Sequence, residues 1–358
     1  MIKHCLLSAS ILFSVYTQAQ KTFVEPSRIV PGHTNDVNLV TQTLRGDMIA
    51  TGSWDKNINI YDTSFNLLRT LSGHTFPLTA LKFRADGKLL ASGSSDNSIV
   101  IWDSLWRRSR QLDGHKDQVN SLWFDKSNKY LFSGGDDRML MAWDLASGKA
   151  FRTIDVGQSV NCITQTTDPR FIYVASAGPQ IKQYNLSNST IARTFDGHAD
   201  VVNVIAVSLN NKWMISGSND KTARIWDLVT GKPIRVLPVS CWKVTAVAFS
   251  DDSKYAVTGC NDGSIKVWEV ETGKLVSQIE ANGQAVKDLQ FTKNKQFVYA
   301  AVMLRGSTNY GLRVWQSGIE APKKPTLPSD TLNTQTDTGA VKKIVPAKLP
   351  AKNNTPQR

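Results

Sequence analysis

Residues 89–103 read LLASGSSDNSIVIWD: an apolar run, a turn of small and polar residues, a second apolar run and a closing Trp-Asp. In the second run Ser98, Val100 and Trp102 alternate with Ile99, Ile101 and Asp103 over a β-branched background, which suits a strand buried on both faces. The stretch is one copy of a module. Ser92, Asp96 and Trp102 recur as Ser133, Asp137 and Trp143 and again as Ser216, Asp220 and Trp226, with serine ten and aspartate six residues before each tryptophan. A Gly-His pair lies further upstream. His74, His115 and His198 precede their tryptophans by 28 residues, and His33 precedes Tyr61 by the same distance.

The repeats close at Tyr61-Asp62, Trp102-Asp103, Trp143-Asp144, Tyr184-Asn185, Trp226-Asp227, Trp268-Glu269 and Trp315-Gln316, spaced by 41, 41, 41, 42, 42 and 47 residues. A period near 41 with Gly-His at one end and Trp-Asp at the other resembles the WD40 family of β-propellers over roughly 290 residues. The resemblance implies an all-β fold, a seven-bladed propeller of four-stranded sheets. A lone blade has two exposed apolar faces, so neighbours must stack to bury them, and closing the ring removes the edges.

In the WD40 pattern each repeat supplies the outer strand of one blade and the three inner strands of the next. The leftover apolar run in residues 21–31, KTFVEPSRIVP, is therefore expected to complete the last blade, with residues 23–30 pairing with 311–315 and closing the ring. Ahead of it, residues 1–19 carry Lys3, a short apolar stretch and a small-residue site ending at Ala19, the pattern of a secretory signal peptide. Export to a periplasm or the cell exterior is expected, with the propeller spanning 20–316 and no transmembrane segment in the mature chain. Residues 317–358 lack aromatics, are rich in Pro, Lys and Thr, and hold seven basic residues against three acidic ones, so a disordered basic tail is expected.

Histidine, serine and aspartate in one repeat are also the parts of a hydrolytic triad. A catalytic constellation is needed once, however, and here every histidine after the leader sits at the same repeat position. The resemblance implies instead a buried hydrogen-bond network that ties the loop before the first strand to the turn between the second and third. Complete sets are His74, Ser92, Asp96 and Trp102; His115, Ser133, Asp137 and Trp143; and His198, Ser216, Asp220 and Trp226. Blade one has His33, Thr51 and Asp55 with Tyr61 in the aromatic place. Blade six has Thr258, Asp262 and Trp268 but Ser240 for histidine. Blade four has Val156, Val174 and Gly178 before Tyr184, and blade seven has a longer second hairpin around residues 304–311.

Three cysteines follow the leader, without metal-ligand spacing. Cys241 and Cys260 fall on adjacent strands of blade six, within reach of a disulfide or side by side as buried thiols, while Cys162 reads as core. No cofactor or metal is expected. The net charge of +12 is spread along the chain without a dense basic block interleaved with aromatics, which argues against nucleic acid as partner.

The resemblance implies a monomeric, non-catalytic platform for a protein or peptide partner. Candidate contact residues on the Gly-His face are Asn35, Phe76, Asp117, Asp200 and Trp242 from the loops entering first strands. From the turns between second and third strands come Trp54, Ser95, Asp136, Asn219 and Asn261, and large aromatics on a polar rim make the best anchors. Two other classes stay open: a binder of anionic cell-envelope material, which needs a contiguous basic face, and a propeller hydrolase, which needs a charged or metal-binding cluster in the central channel. No such cluster is legible in the sequence.

Overall fold

The computed structural model describes residues 25–281, 284–303 and 310–319. Residues 1–24, which include the expected leader and Phe23 and Val24 of the expected closing strand, residues 282–283, hairpin residues 304–309 and the chain from 320 onward lie outside the described residues. Seven antiparallel four-stranded sheets form the seven blades of a ring. In blade two, for example, Leu78–Phe83, Leu90–Ser94, Ile99–Trp102 and Arg108–Leu112 run from the central channel outward. Middle strands are buried on both faces, as the unbroken burial of Leu90–Ser94 and Ile99–Trp102 shows, because a blade packs on either side. Outer strands such as Arg108–Leu112 carry charge and exposure, which discourages edge-to-edge association.

The last blade is composite. Arg28–Pro31 pairs with Gly311–Gln316, setting Ile29 opposite Arg313, Val30 opposite Leu312 and Pro31 opposite Gly311. Val30 is buried with Leu312 and Val314 against Ile49 and Tyr61 of the first blade, so the two ends of the chain close the ring. Pro31 sits where its missing N–H costs no ladder bond, at the end of an edge strand.

Three repeating contacts cement neighbouring blades. The glycine after each network hydroxyl is the first: a Cβ on Gly134 would lie 2.2 Å from Val160 of the next blade, and one on Gly217 would lie 2.5 Å from Val244, so only glycine allows this approach. The second lies at the outer rim, where an arginine of one outer strand reaches the turn of the next blade. Arg110 donates to the carbonyls of Ser147 and Ala146 at 2.9 and 3.0 Å, and Arg193 to those of Leu228 and Val229 at 3.0 and 2.9 Å. The third is at the channel and is described below.

One expected boundary moves. Ser317, taken as the start of the tail, is fully buried, with its N–H on Gln296 O at 2.8 Å, and Ile319 packs on the core of the last blade. Ordered contacts thus continue past the closing dipeptide. Cys162, read as core, packs partly buried against the core shared by blades four and five and also lines the central channel.

Candidate functional site

In the complete blades the recurring residues meet in one geometry. His115 places Nδ1 2.9 Å from Asp137 and Nε2 2.7 Å from Ser133 Oγ, which also accepts from Trp143 Nε1 at 2.8 Å. His198 does the same with Asp220 and Ser216, both at 2.7 Å, beneath Trp226. His74 contacts Ser92 at 2.8 Å and Asp96 at 3.1 Å, with Trp102 donating to Ser92 at 2.9 Å. The carboxylate can only accept, so the ring carries its hydrogen on Nδ1, and Nε2 then accepts from the serine hydroxyl, whose oxygen takes the indole N–H.

Each aspartate then fixes the face above it. Asp96 accepts the N–H groups of Thr75 and Ser98 at 2.8 and 3.0 Å, so one carboxylate ties the entering loop to the following turn. Burial pushes the Asp96 carboxyl up, but hydrogen bonds from Ser98 and Thr75 and the charge of His74 outweigh it and hold the pKa at about 2. Burial lowers the pKa of His74, His115 and His198 against the opposing pull of their aspartates, which favours the neutral ring. The serines are fully buried, and a nucleophile sealed under an indole is out of reach of a substrate.

The departures have their own solutions. In blade one His33 reaches Thr51 at 2.8 Å and Asp55 at 2.9 Å, but the Tyr61 hydroxyl donates to Pro31 O at 3.0 Å, anchoring the closing strand instead. In blade four Val156, Val174 and Tyr184 replace the polar set with apolar packing. In blade seven Ala300 stands where the hydroxyl would be, two paired positions along from Val298 and Trp315. In blade six Trp268 still donates to Thr258 at 3.0 Å, while a Cys241–Cys260 disulfide joins the loop that lacks histidine to the end of the second strand. Lys266 adds a hydrogen bond to Val239 O at 2.7 Å. The bridge performs the tie that histidine and aspartate perform elsewhere.

The structure divides the loop-face candidates. Trp242, Phe76 and Trp54 are exposed by 73%, 57% and 44%, and Asn35, Asp117, Asp200 and Asn261 also reach solvent. Ser95, Asp136 and Asn219 are instead tied inward: Ser95 Oγ donates to Gln118, and Asp136 and Asn219 accept from Asn120 and Asn203 at 2.7 and 2.9 Å. Sequence reading missed two partners of the aromatics. The residue after each network aspartate adopts a left-handed backbone, including Lys56 and Lys221 with φ of 73° and 69°. From these turns Lys56 Nζ lies 6.0 Å from the Phe76 ring centroid and Lys221 Nζ 4.3 Å from that of Trp242, each pair bridging two blades.

The channel was also missed. Every inner strand bulges at its second residue, which turns that side chain toward the next blade. Asn120, Asn161 and Asn203 donate to Val160 O, Val202 O and Val244 O at 3.1, 3.0 and 3.0 Å, and Thr79 and Thr245 do likewise to Val119 O and Val286 O, both at 2.5 Å. Asn38 donates to Leu78 O, continuing the series. Below this ring a cavity of about 440 Å³ reaches the turns bearing Leu44 and Leu209. Contrary to expectation its wall holds charge: Lys82 of blade two, its Nζ 4.3 Å from the Trp123 ring centroid, and Asp288 of blade seven. Asp288 accepts from the N–H groups of Val40 and Leu289 at 3.0 and 2.8 Å, and burial raises its pKa to about 6. These residues were illegible because they come from opposite ends of the chain and read as ordinary strand alternation.

A ring of seven four-stranded blades, locked by buried histidine, hydroxyl, aspartate and indole, defines a repeat propeller. The family model for the WD domain, G-beta repeat matches residues 24–62, 65–103, 106–144, 189–227 and 231–269, more than half of the chain, and the chain belongs to this family. The unmatched fourth and seventh blades are those without a hydroxyl beneath the aromatic. Protein LST8 homolog of Dictyostelium discoideum is 40% identical over 86 residues, 23% of this chain and 28% of that protein. Target of rapamycin complex subunit LST8-1 of Arabidopsis thaliana is 33% identical over 85 residues, with the same two shares. Ribosome biogenesis protein BOP1 of Homo sapiens is 38% identical over 48 residues, 13% of this chain and 6% of that protein. The chain thus spans 28% of the length of the first two relatives.

Proposed function

We propose that this protein is an exported, non-catalytic scaffold that binds a protein partner on the face carrying the Gly-His loops. The observation that carries the reading is Trp242, 73% exposed and seated beside Lys221, on a rim tied by the Cys241–Cys260 bridge on its own loop and by the His198–Asp220 contact next to Lys221. A large aromatic held in place before binding loses little entropy when a partner covers it, which is what makes such residues anchors. Phe76 with Lys56, and Trp54, extend the same face. One relative is named as a complex subunit, in keeping with a scaffold role. Export rests on residues 1–19 and is supported by the Cys241–Cys260 bridge, since disulfides persist in oxidising compartments.

The test compares capture by the mature parent with capture by a Trp54→Ala, Phe76→Ala, Trp242→Ala variant of equal thermal stability. The proposal expects a partner retained by the parent and lost, by about tenfold or more in affinity, from the variant. Equal capture by both would place binding elsewhere. Amino-terminal sequencing of the native product checks export separately and should begin at or near Gln20.

A further inference from the structure

We propose that the central channel is a binding site for a small organic carboxylate with a short apolar body, anchored by Lys82. The site is independent of the loop face. Lys82 is partly buried, its ammonium lies over the ring of Trp123, and no described residue accepts a hydrogen bond from it. An ammonium with three donors held partly buried at the channel wall is open to an oxygen acceptor, since cation–π attraction alone replaces little of the hydration it has lost. Asp288 shares the cavity, but its oxygens are already engaged by Val40 and Leu289, and no direct ion pair joins it to Lys82 among the described residues. The wall carries a second unmet group: Thr164, 1% exposed, has an Oγ1 with no hydrogen-bond partner among the described residues.

The same lining also holds apolar side chains, among them Val204, Ala206, Leu209 and Ala248. A volume of about 440 Å³ falls within the range of small-molecule sites, about 300–1,000 Å³. The charged and apolar parts of this lining together call for a compact ligand with one anionic end. A carboxylate beside Lys82 accepts from its ammonium and, once Asp288 is protonated, from that carboxyl as well. Because burial already raises Asp288 to about 6, taking up this proton is easy near neutral pH. The remaining titratable groups on the wall are Lys287, Cys162 and Asp251. Asp251 is ion-paired with Lys293, burial pushes the Cys162 thiol up, and Asp288 is the carboxyl whose pKa burial raises.

Calorimetric titration of the folded protein with benzoate, and with benzamide as its neutral counterpart, tests the site. Benzoate should bind at least about tenfold more tightly than benzamide, and Lys82→Met should remove that preference. Benzoate affinity should rise several-fold between about pH 7.5 and 5.5 with net proton uptake, whereas Asp288→Asn should bind tightly at both and take up none. Thermal melts of both variants check that the ring is intact, and Asp288→Asn keeps the test decisive if Lys82→Met fails to fold. No heat from the parent at about 10 mM benzoate, equal binding of benzamide, or undiminished benzoate binding by folded Lys82→Met would each overturn the proposal.

Discussion

Ser133 shows how much one hydroxyl holds. It accepts from Trp143 and faces His115 Nε2, so Ser133→Ala strands two buried polar groups at once. The expected loss is about 2–3 kcal/mol in urea unfolding, more than one hydrogen bond is ordinarily worth, and a loss under about 0.5 kcal/mol would show that the network is not cooperative. The histidines also set a pH dependence. His74, His115 and His198 have folded pKa values below the ordinary 6.5, so the unfolded chain takes up protons first as pH falls. Their contribution is full above about 6.5 and is lost below it, and the Asp96 contribution follows between 3.8 and about 2. Stability measured at stepwise lower pH should decline through both windows, and a His115→Ala variant should show a shallower decline from pH 7 to 5. These residues were legible because their offsets repeat. Asn120, Asn161 and Asn203 repeat equally well, but a bulge turns them toward the next blade, and a bulge has no signature in strand alternation.

Strands and hairpins follow from alternation, turn chemistry and the repeat period, and each of the seven blades lies where the spacing puts it. Element ends were harder. Ser317 belongs to the last blade through backbone bonds that its polar character does not announce, and proximity of Cys241 to Cys260 was readable while the bridge itself needed the fold. The bridge closes a segment of 19-residue separation in the one blade where serine replaces histidine. Reduction, or a Cys241→Ala, Cys260→Ala variant, should cost about 2–4 kcal/mol, seen as a lower melting temperature in reductant. Unchanged melting in reductant would show that Lys266 and Thr258 hold this blade without it.

At the scale of the whole molecule, the loop face and the channel both exist only if the ring is closed, and closure was legible as a spare strand at one end of the chain and a missing one at the other. Arg28–Pro31 supplies four paired positions and buries Val30, an interaction comparable with a sizeable part of an ordinary domain's stability when backbone bonds are worth about 1 kcal/mol each. The charges in the channel were not legible, because only closure brings blades seven and two around one cavity. The most direct measurement is therefore thermal unfolding and size-exclusion of a variant lacking residues 25–31. Aggregation through the exposed edge of Gly311–Gln316 or loss of a cooperative melt is expected. A soluble, monomeric variant melting within a few degrees of the parent would contradict this closure.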